Sequence, residues 1–410
     1  MGRVILRKGR EDSLHRFHPW IFSGAVASVE GSPYEGEAVE VYAHDGSFLA
    51  VGHWQKGSIA VRVLSFGKDW LPDGNGLMPQ DFWDLRIELA LRMRRALGFL
   101  SGRDGGPQAT TCCRLVHGEG DSLPGLVVDI YGRVAVMQAH SAGMYLSADR
   151  IASALTRCSS GLITTVYNKS GATAPHRAGL TLSDGYLTGP CPEDETVVLE
   201  NGCRFHVNWA VGQKTGFFLD QRDNRALVGQ YAAGRRVLNL FCYTGGFSVY
   251  ALNAGASSVV SVDSSAVAVD MLRRNVELNA GSRAHNVRHS AVCADAMDYL
   301  KETVAGEFDL MVVDPPAFAK HRDALDNALR AYRRLNAAAI GKIAPGGLLF
   351  TYSCSQAVDR RAFELTVFTA AAATGRPVRI LRRLTQPADH PVSIYHPEGD
   401  YLKGLLLYVE

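Results

Sequence analysis

Val237-Leu238-Asn239-Leu240-Phe241-Cys242-Tyr243-Thr244-Gly245-Gly246-Phe247-Ser248 is the stretch on which the fold turns. It reads as an apolar strand, a tight glycine turn and the opening of a helix. A second apolar run, Val259-Val260-Ser261-Val262, ends in Asp263, eighteen residues after Gly245. That layout suits a nucleotide-type ligand lying across the carboxyl ends of two parallel strands. The glycines admit the ligand to the backbone, and the acid accepts the ribose hydroxyls. The dinucleotide fingerprint G-x-G-x-x-G is absent, so no pyrophosphate cradle is visible. A nucleoside ligand such as S-adenosylmethionine (AdoMet) is favoured over NAD or FAD. On these residues alone, close packing of helix on strand accounts for the two glycines as well.

Working outward, strands and helices alternate from about residue 195. Strands are expected at 237–242, 259–263, 292–294, 308–314, 348–353 and 378–381. The helix after Asp263 sets Val269, Leu272 and Val276 on one face and ends near Gly281. Such alternation predicts a parallel sheet with helices on both faces. The apolar segment 402–409 follows 378–381 without a clear helix and is expected to run antiparallel. Upstream, short strands at 37–42, 48–51 and 59–64 predict a small β-barrel. Residues 67–79 read as a linker, and a helix at 81–100 presents Trp83, Ile87, Leu91 and Leu97. A glycine-rich loop (101–107), strands flanking Gly118-Glu119-Gly120-Asp121-Ser122-Leu123-Pro124-Gly125, a strand at 133–138 and a helix at 142–158 make a small α+β module. Three domains result: 1–70, 71–190 and 191–410.

The 410 residues are 47% hydrophobic and 20% charged with a net charge of +2, ordinary for a globular protein and without a global polycation signal. Basic residues are grouped locally instead: Arg3, Arg7, Lys8, Arg10; Arg92, Arg94, Arg95; Arg330, Arg333, Arg334; and Arg379, Arg382, Arg383. Such faces can bind phosphate backbones, although each also suits a solvated surface. The eight cysteines include no C-x-x-C pair, and no metal is expected. Residues 1–10 are basic without an apolar core, and no run approaches the roughly 20 apolar residues that span a bilayer. A cytoplasmic location with free thiols and no membrane partner is the expectation.

Three further strand ends carry chemistry. Val312-Val313 leads into Asp314-Pro315-Pro316-Ala317-Phe318, which delivers Asp314 to the same edge as Gly245 and Asp263. The prolines stiffen the backbone and remove two donors, as suits a group facing a planar substrate. Thr351-Tyr352-Ser353-Cys354-Ser355 places Cys354 at that edge too, where a nucleophile competes with the commoner buried thiol. Asp295 ends the third strand and suits either an adenine amino group or the cap of the next helix. Ahead of the first strand, Gln213-Lys214-Thr215-Gly216-Phe217-Phe218-Leu219-Asp220-Gln221-Arg222 mixes cations, amides and aromatics. It could close over the methionine end of the ligand, with Lys214 or Arg222 pairing a carboxylate.

Taken together, Lys214 to Arg222, Tyr243-Thr244-Gly245-Gly246-Phe247, Val262-Asp263, Asp314 to Phe318 and Ser353-Cys354-Ser355 resemble the bacterial 23S ribosomal RNA cytosine-C5 methyltransferases of the large-subunit methyltransferase I type. Gly118 to Leu126, Ala388-Asp389-His390-Pro391 and Tyr401-Leu402-Lys403-Gly404 are similar too, and His18-Pro19-Trp20-Ile21-Phe22 with the short strands resembles that family's PUA RNA-binding domain. The resemblance implies a class I AdoMet methyltransferase domain, Rossmann-like with an antiparallel last strand, preceded by a PUA-like barrel and the α+β module. It implies Cys354 as nucleophile and Asp314 as its partner on the base. Tyr243, Thr244, Gly245, Gly246, Asp263, Asp295, Lys214, Gln221 and Arg222 would bind the cofactor, and Pro315, Pro316 and Phe318 the substrate base. Free or early-assembly 23S rRNA is the expected partner, and pairing into a homodimer stays open. The loop Tyr167-Asn168-Lys169-Ser170-Gly171 departs from the family in lacking an arginine after the tyrosine, although Arg177 fits a later basic position. The alternatives are an RNA methyltransferase acting on a purine amine or ring nitrogen without cysteine catalysis, an RNA-binding protein with a relict AdoMet pocket, and, less favoured, a small-molecule methyltransferase.

Overall fold

The computed structural model describes residues 2–100, 109–176, 179–191, 193–280, 288–319 and 322–410. The loop 101–107, Arg177 and Gly281 lie outside them. Contacts divide the chain into two units. The first comprises Met1–Val198, Val207–Leu219 and Ala388–Gly399, and the second Leu199–His206, Asp220–Pro387 and Asp400–Glu410.

The first unit opens with β1 (Arg3–Leu6), a helical turn α1 (Asp12–His15), β2 (Trp20–Phe22), β3 (Val26–Glu30), β4 (Ala38–Tyr42), β5 (Phe48–Trp54) and β6 (Ile59–Phe66). Their order is β2-β6-β5-β4-β1-β3, with β1 and β4 parallel and the other neighbours antiparallel. Slips of register at Ile5/Leu6, Ile21/Phe22, Val41/Tyr42 and Val51/Gly52 bend the strands. Val4, Leu6, Val39, Val41, Val61 and Val63 are buried together. Strands β1, β2 and β3 escape sequence reasoning because they are only four, three and five residues long.

Helix α2 (Gln80–Ala96) leads to β7 (Cys112–His117), β8 (Leu126–Tyr131), β9 (Val134–Ala139), α3 (Ala142–Leu146), α4 (Ala148–Cys158), β10 (Thr165–Asn168) and β11 (Gly185–Thr188). The five strands are ordered β11-β10-β9-β8-β7. Trp83, Ile87 and Leu91 of α2 share one core with Ile151 and Leu155 of α4, Val128 and Met137 of the sheet, and Ala38, Val51 and Leu64 of the first sheet. Three sequence expectations are corrected. Leu97 lies beyond the end of α2 and is 44% exposed, because the helix closes one turn early. The helix expected at 142–158 breaks at Ser147. Tyr167 and Asn168 belong to β10 rather than to a loop.

Two family-like motifs separated by most of the chain meet in this unit. A Cβ on Gly120 would sit 1.9 Å from the carbonyl oxygen of Pro391, so only glycine fits there. Arg94, read in the sequence as part of a basic surface run, is instead buried. It pairs with the carboxylate of Asp121 and donates to the Asp389 carbonyl at 2.8 Å. Arg114 forks onto Asp129 with two 2.8 Å bonds, and Thr215 Oγ1 donates to the same carboxylate at 2.6 Å.

The ribbon β12 (Glu195–Glu200) and β13 (Cys203–Asn208) precedes the second unit's sheet. That sheet comprises β14 (Arg236–Leu240), β15 (Ser258–Asp263), β16 (Arg288–Cys293), β17 (Leu310–Val313), β18 (Gly347–Ser353), β19 (Val378–Leu384) and β20 (Lys403–Val409). Helices α5 (Arg222–Ala232), α6 (Gly246–Asn253), α7 (Ala266–Asn279), α8 (Ala296–Glu302), α9 (Leu325–Lys342) and α10 (Arg360–Thr374) connect it. The order is β16-β15-β14-β17-β18-β20-β19. β14 to β18 are parallel, and β20 runs antiparallel to both β18 and β19, as expected from the missing crossover helix. Strand order reverses between β14 and β17, the place where open α/β sheets bind ligands. No helix among the described residues is long and apolar enough to cross a membrane.

Replacing Arg94 with methionine strands the buried Asp121 carboxylate without its cation. A loss of about 3–5 kcal/mol is expected, to be read from the urea midpoint of the full chain; an unchanged midpoint would show that water reaches Asp121.

Candidate active site

The turn after β14 is held in a costly conformation. Phe241, Tyr243 and Gly245 all adopt left-handed backbone angles, with φ of 58°, 46° and 83°. Asp263 at the end of β15 keeps the turn in place. One carboxylate oxygen accepts the Tyr243 N–H at 2.8 Å and the other the Ser265 N–H at 2.9 Å. A Cβ on Gly245 would lie 2.0 Å from Leu272 Cδ1, and one on Gly246 2.8 Å from Arg225 Cδ. Helix packing therefore requires both glycines, whatever else the turn does. Asn275, a polar residue on the otherwise apolar face of α7, donates to the Thr244 carbonyl at 2.9 Å.

These groups fit a nucleoside ligand on two observations. Thr244 Oγ1 is buried without a hydrogen-bond partner among the described residues, the condition a bound polar ligand relieves. Each Asp263 oxygen uses one lone pair on the turn and keeps another for a hydroxyl. Asp295 caps α8, accepting from Met297 N at 2.8 Å and Asp298 N at 3.0 Å through Oδ1 alone. The cap is thus present, and Oδ2 stays available to a ligand. Gln221 and Arg222 face inward rather than outward. Gln221 accepts from Asn224 at 2.6 Å and hydrogen-bonds the Asp314 carboxyl, while the Arg222 guanidinium lies 3.7 Å from Glu200. Lys214 belongs to the first unit, where it is exposed with φ 53°.

Across the switch point, Asp314 follows β17 and Cys354 follows β18. The two loops are stitched together. Cys354 Sγ faces the Pro315 carbonyl at 3.9 Å, and Ser355 Oγ takes the Ala319 N–H at 3.3 Å and bonds the Tyr332 hydroxyl at 2.9 Å. Phe318 packs on Tyr332 at 4.7 Å between ring centres, Pro315 is buried and Pro316 is exposed. Burial, then the nearby Asp220 carboxylate, pushes the Asp314 carboxyl up from 3.8 to about 7, against the hydrogen bond from Gln221 and the attraction of Arg225. Burial and then Asp314 and Asp220 push the Cys354 thiol up to about 12, opposed by Lys403.

Sequence reasoning left Lys403 without a role. It is buried, donates to the carbonyls of Ser355 and Tyr401 at 2.7 Å each, and burial lowers its ammonium to about 8. Asp220 was also passed over; it accepts the Tyr401 hydroxyl at 2.6 Å. The available signal was topological: the first residue of an antiparallel strand returns to the edge where its parallel neighbours end, and Lys403 pairs with Ser353 in register.

Sheet order, glycine turn and strand-end acid define a class I AdoMet-dependent methyltransferase. The family description "S-adenosylmethionine-dependent methyltransferase" matches residues 175–406 and a PUA-like domain matches residues 4–66. The chain is 41% identical to the ribosomal RNA large subunit methyltransferase I of Aeromonas salmonicida over 98% of both proteins, and 40% identical to that of Shewanella amazonensis over 99% of both. It belongs to the ribosomal RNA large subunit methyltransferase I family. A solved structure described as a candidate SAM-dependent methyltransferase from Streptococcus mutans shares the fold with a TM-score of 0.80 over the whole of both chains, at 22% identity.

The raised Asp314 carboxyl has a signed consequence for stability. As pH rises from about 4 to about 7, an unfolded Asp314 ionises at its ordinary 3.8 while the folded one keeps its proton, so stability falls across that window. The Asp314→Asn protein should lack this component, gaining on the parent between pH 4 and 7 in thermal melts. Parallel curves would show that Asp314 is ionised in the folded protein at low pH.

Proposed function

We propose that this chain methylates C5 of a cytosine in 23S ribosomal RNA through a covalent bond between Cys354 Sγ and C6 of the base. The observation that carries the reading is the delivery of Asp314 and Cys354 from adjacent strands to one edge, with the thiol against the Pro315 carbonyl at 3.9 Å. The named activity of the relatives supports the RNA as substrate. Free or early-assembly RNA in the cytoplasm is the form proposed.

C5 of cytosine is a weak nucleophile, and addition of a thiolate at C6 makes it enamine-like. The new Sγ–C6 bond pushes an electron pair toward N3. A carboxyl that holds its proton to about pH 7 is suited to donate to N3 as that charge develops. Beside the thiol, Lys403 favours the thiolate, against the neighbouring Asp220 carboxylate. AdoMet supplies the methyl group as an electrophile when bound. Loss of the C5 proton to a base, cleavage of Sγ–C6 and return of the N3 proton to the Asp314 carboxylate then restore the ring, the thiolate and the carboxyl. For the cofactor we assign the turn Tyr243 to Gly246, Asp263 and Asp295, with the buried Thr244 hydroxyl as an added donor. The high resting thiol value, about 12, favours the second reading, transfer to a purine amine or ring nitrogen with Cys354 structural.

Labelled AdoMet with unmodified 23S rRNA, followed by nucleoside analysis, separates the two. Label in 5-methylcytidine is expected, with Cys354→Ala at least about a hundredfold slower; label in a methylated purine, or full activity of the variant, overturns the C5 mechanism. Calorimetry on Asp263→Ala should show AdoMet affinity reduced about tenfold or more, since hydrogen bonds to a charged group contribute about 1.5–3 kcal/mol. For RNA, we assign a phosphate-binding role to the exposed Arg7, Lys8 and Arg10. Reversing their charges should lower the salt dependence of RNA affinity by about 0.7–0.9 per lost contact; an unchanged slope would place the RNA elsewhere.

A further inference from the structure

The first unit contains a cluster that neither the methyl-transfer reading nor the family assignment uses. His18, which precedes β2, meets His396 and Glu398 from the returning segment Ala388–Gly399, and one potential ligand atom from each lies within 4.8 Å of the others. We propose that His18 Nε2, His396 Nε2 and the Glu398 carboxylate bind a divalent transition-metal ion of the zinc type.

The distances fit an ion better than direct contact. His18 Nε2 to Glu398 Oε1 is 3.7 Å and His396 Nε2 to Glu398 Oε2 is 3.8 Å, too long for hydrogen bonds. Tetrahedral ligands at about 2.0–2.1 Å from zinc lie roughly 3.3 Å apart, so each histidine–glutamate pair would close by about half an ångström, within a set whose ligand atoms all lie within 4.8 Å. His396 is an independent indication. It is 2% exposed, and among the described residues neither ring nitrogen has a hydrogen-bond partner; an uncompensated buried imidazole is costly unless something takes its lone pair.

The surroundings prepare the ligands. The Trp20 backbone fixes the His18 ring, with Nδ1 3.2 Å from the Trp20 nitrogen and 3.3 Å from its carbonyl oxygen, and Nε2 is turned toward Glu398. The Trp20 ring packs on His396 at 4.3 Å, and its indole N–H donates to Glu119 at 2.8 Å, which holds the wall in place. Two imidazoles and a carboxylate suit zinc, cobalt or nickel rather than calcium or magnesium, with water as fourth ligand. The ion would fasten the start of β2 to a segment far along the chain.

The full-length protein, stripped with chelator and titrated with Co2+ and then Zn2+, provides the test. One equivalent of cobalt with the visible absorption of a four-coordinate N/O site is expected, together with a higher melting temperature in zinc. His18→Ala and Glu398→Gln, both altering partly or fully exposed side chains, should each weaken binding more than about tenfold and abolish the thermal shift, as should His396→Ala. His44→Ala, at an exposed turn, should change neither. Absence of binding, undiminished binding in the His18 and Glu398 variants, or cobalt–thiolate absorption from the exposed Cys191 or Cys293 would overturn the assignment.

Discussion

One buried carboxylate, Glu200, organises the catalytic half of the molecule. It takes a forked pair of bonds from Arg225 at 2.8 and 2.7 Å, lies 3.7 Å from Arg222, and accepts the Tyr250 hydroxyl at 3.1 Å. Two guanidinium groups would be prohibitive in an apolar interior without it. The arrangement joins the tip of the β12–β13 ribbon to α5 and α6, the two helices that flank the glycine turn. Arg225 also explains why position 246 must be glycine, since its aliphatic stem occupies the space a Cβ would need. The same cation sets part of the field at Asp314. Cofactor turn and substrate edge therefore share one electrostatic support.

That support was not legible in the sequence, whereas the sheet largely was. A parallel strand buried on both faces must be a short apolar run, so β14, β15, β17 and β18 stand out from their composition alone. Asp263, Asp314 and Cys354 could be placed at one edge because the strand ends of such sheets converge there. What could not be read were partnerships across long sequence separations. Arg94 sits in a run that resembles a solvated basic face, and its burial depends on Asp121 and on a segment near residue 389. Glu200 ends an ordinary alternating strand. Lys403 is one lysine ahead of an apolar run, and its position follows only once β20 is known to run backwards. Asp295 was undecided between cap and ligand because one carboxylate can serve both.

The site at rest is tuned toward neutrality. Burial and the Asp220 carboxylate raise the proton affinity of Asp314, and burial with both carboxyl groups raises that of the Cys354 thiol. A reactive thiolate held permanently in a cell would be exposed to oxidation and to stray electrophiles. Here burial and the two carboxyl groups keep the Cys354 thiol protonated.

The antiparallel return of β20 has a consequence for biosynthesis. Every other strand of the second unit's sheet leaves the ribosome before it, and Lys403 and Tyr401 enter the site only with this strand. A nascent chain that has already made the glycine turn, the capped helices and the loops after β17 and β18 would still lack the cation near Cys354. The order of translation thus leaves the surroundings of Asp314 and Cys354 to be completed by the sheet's last strand.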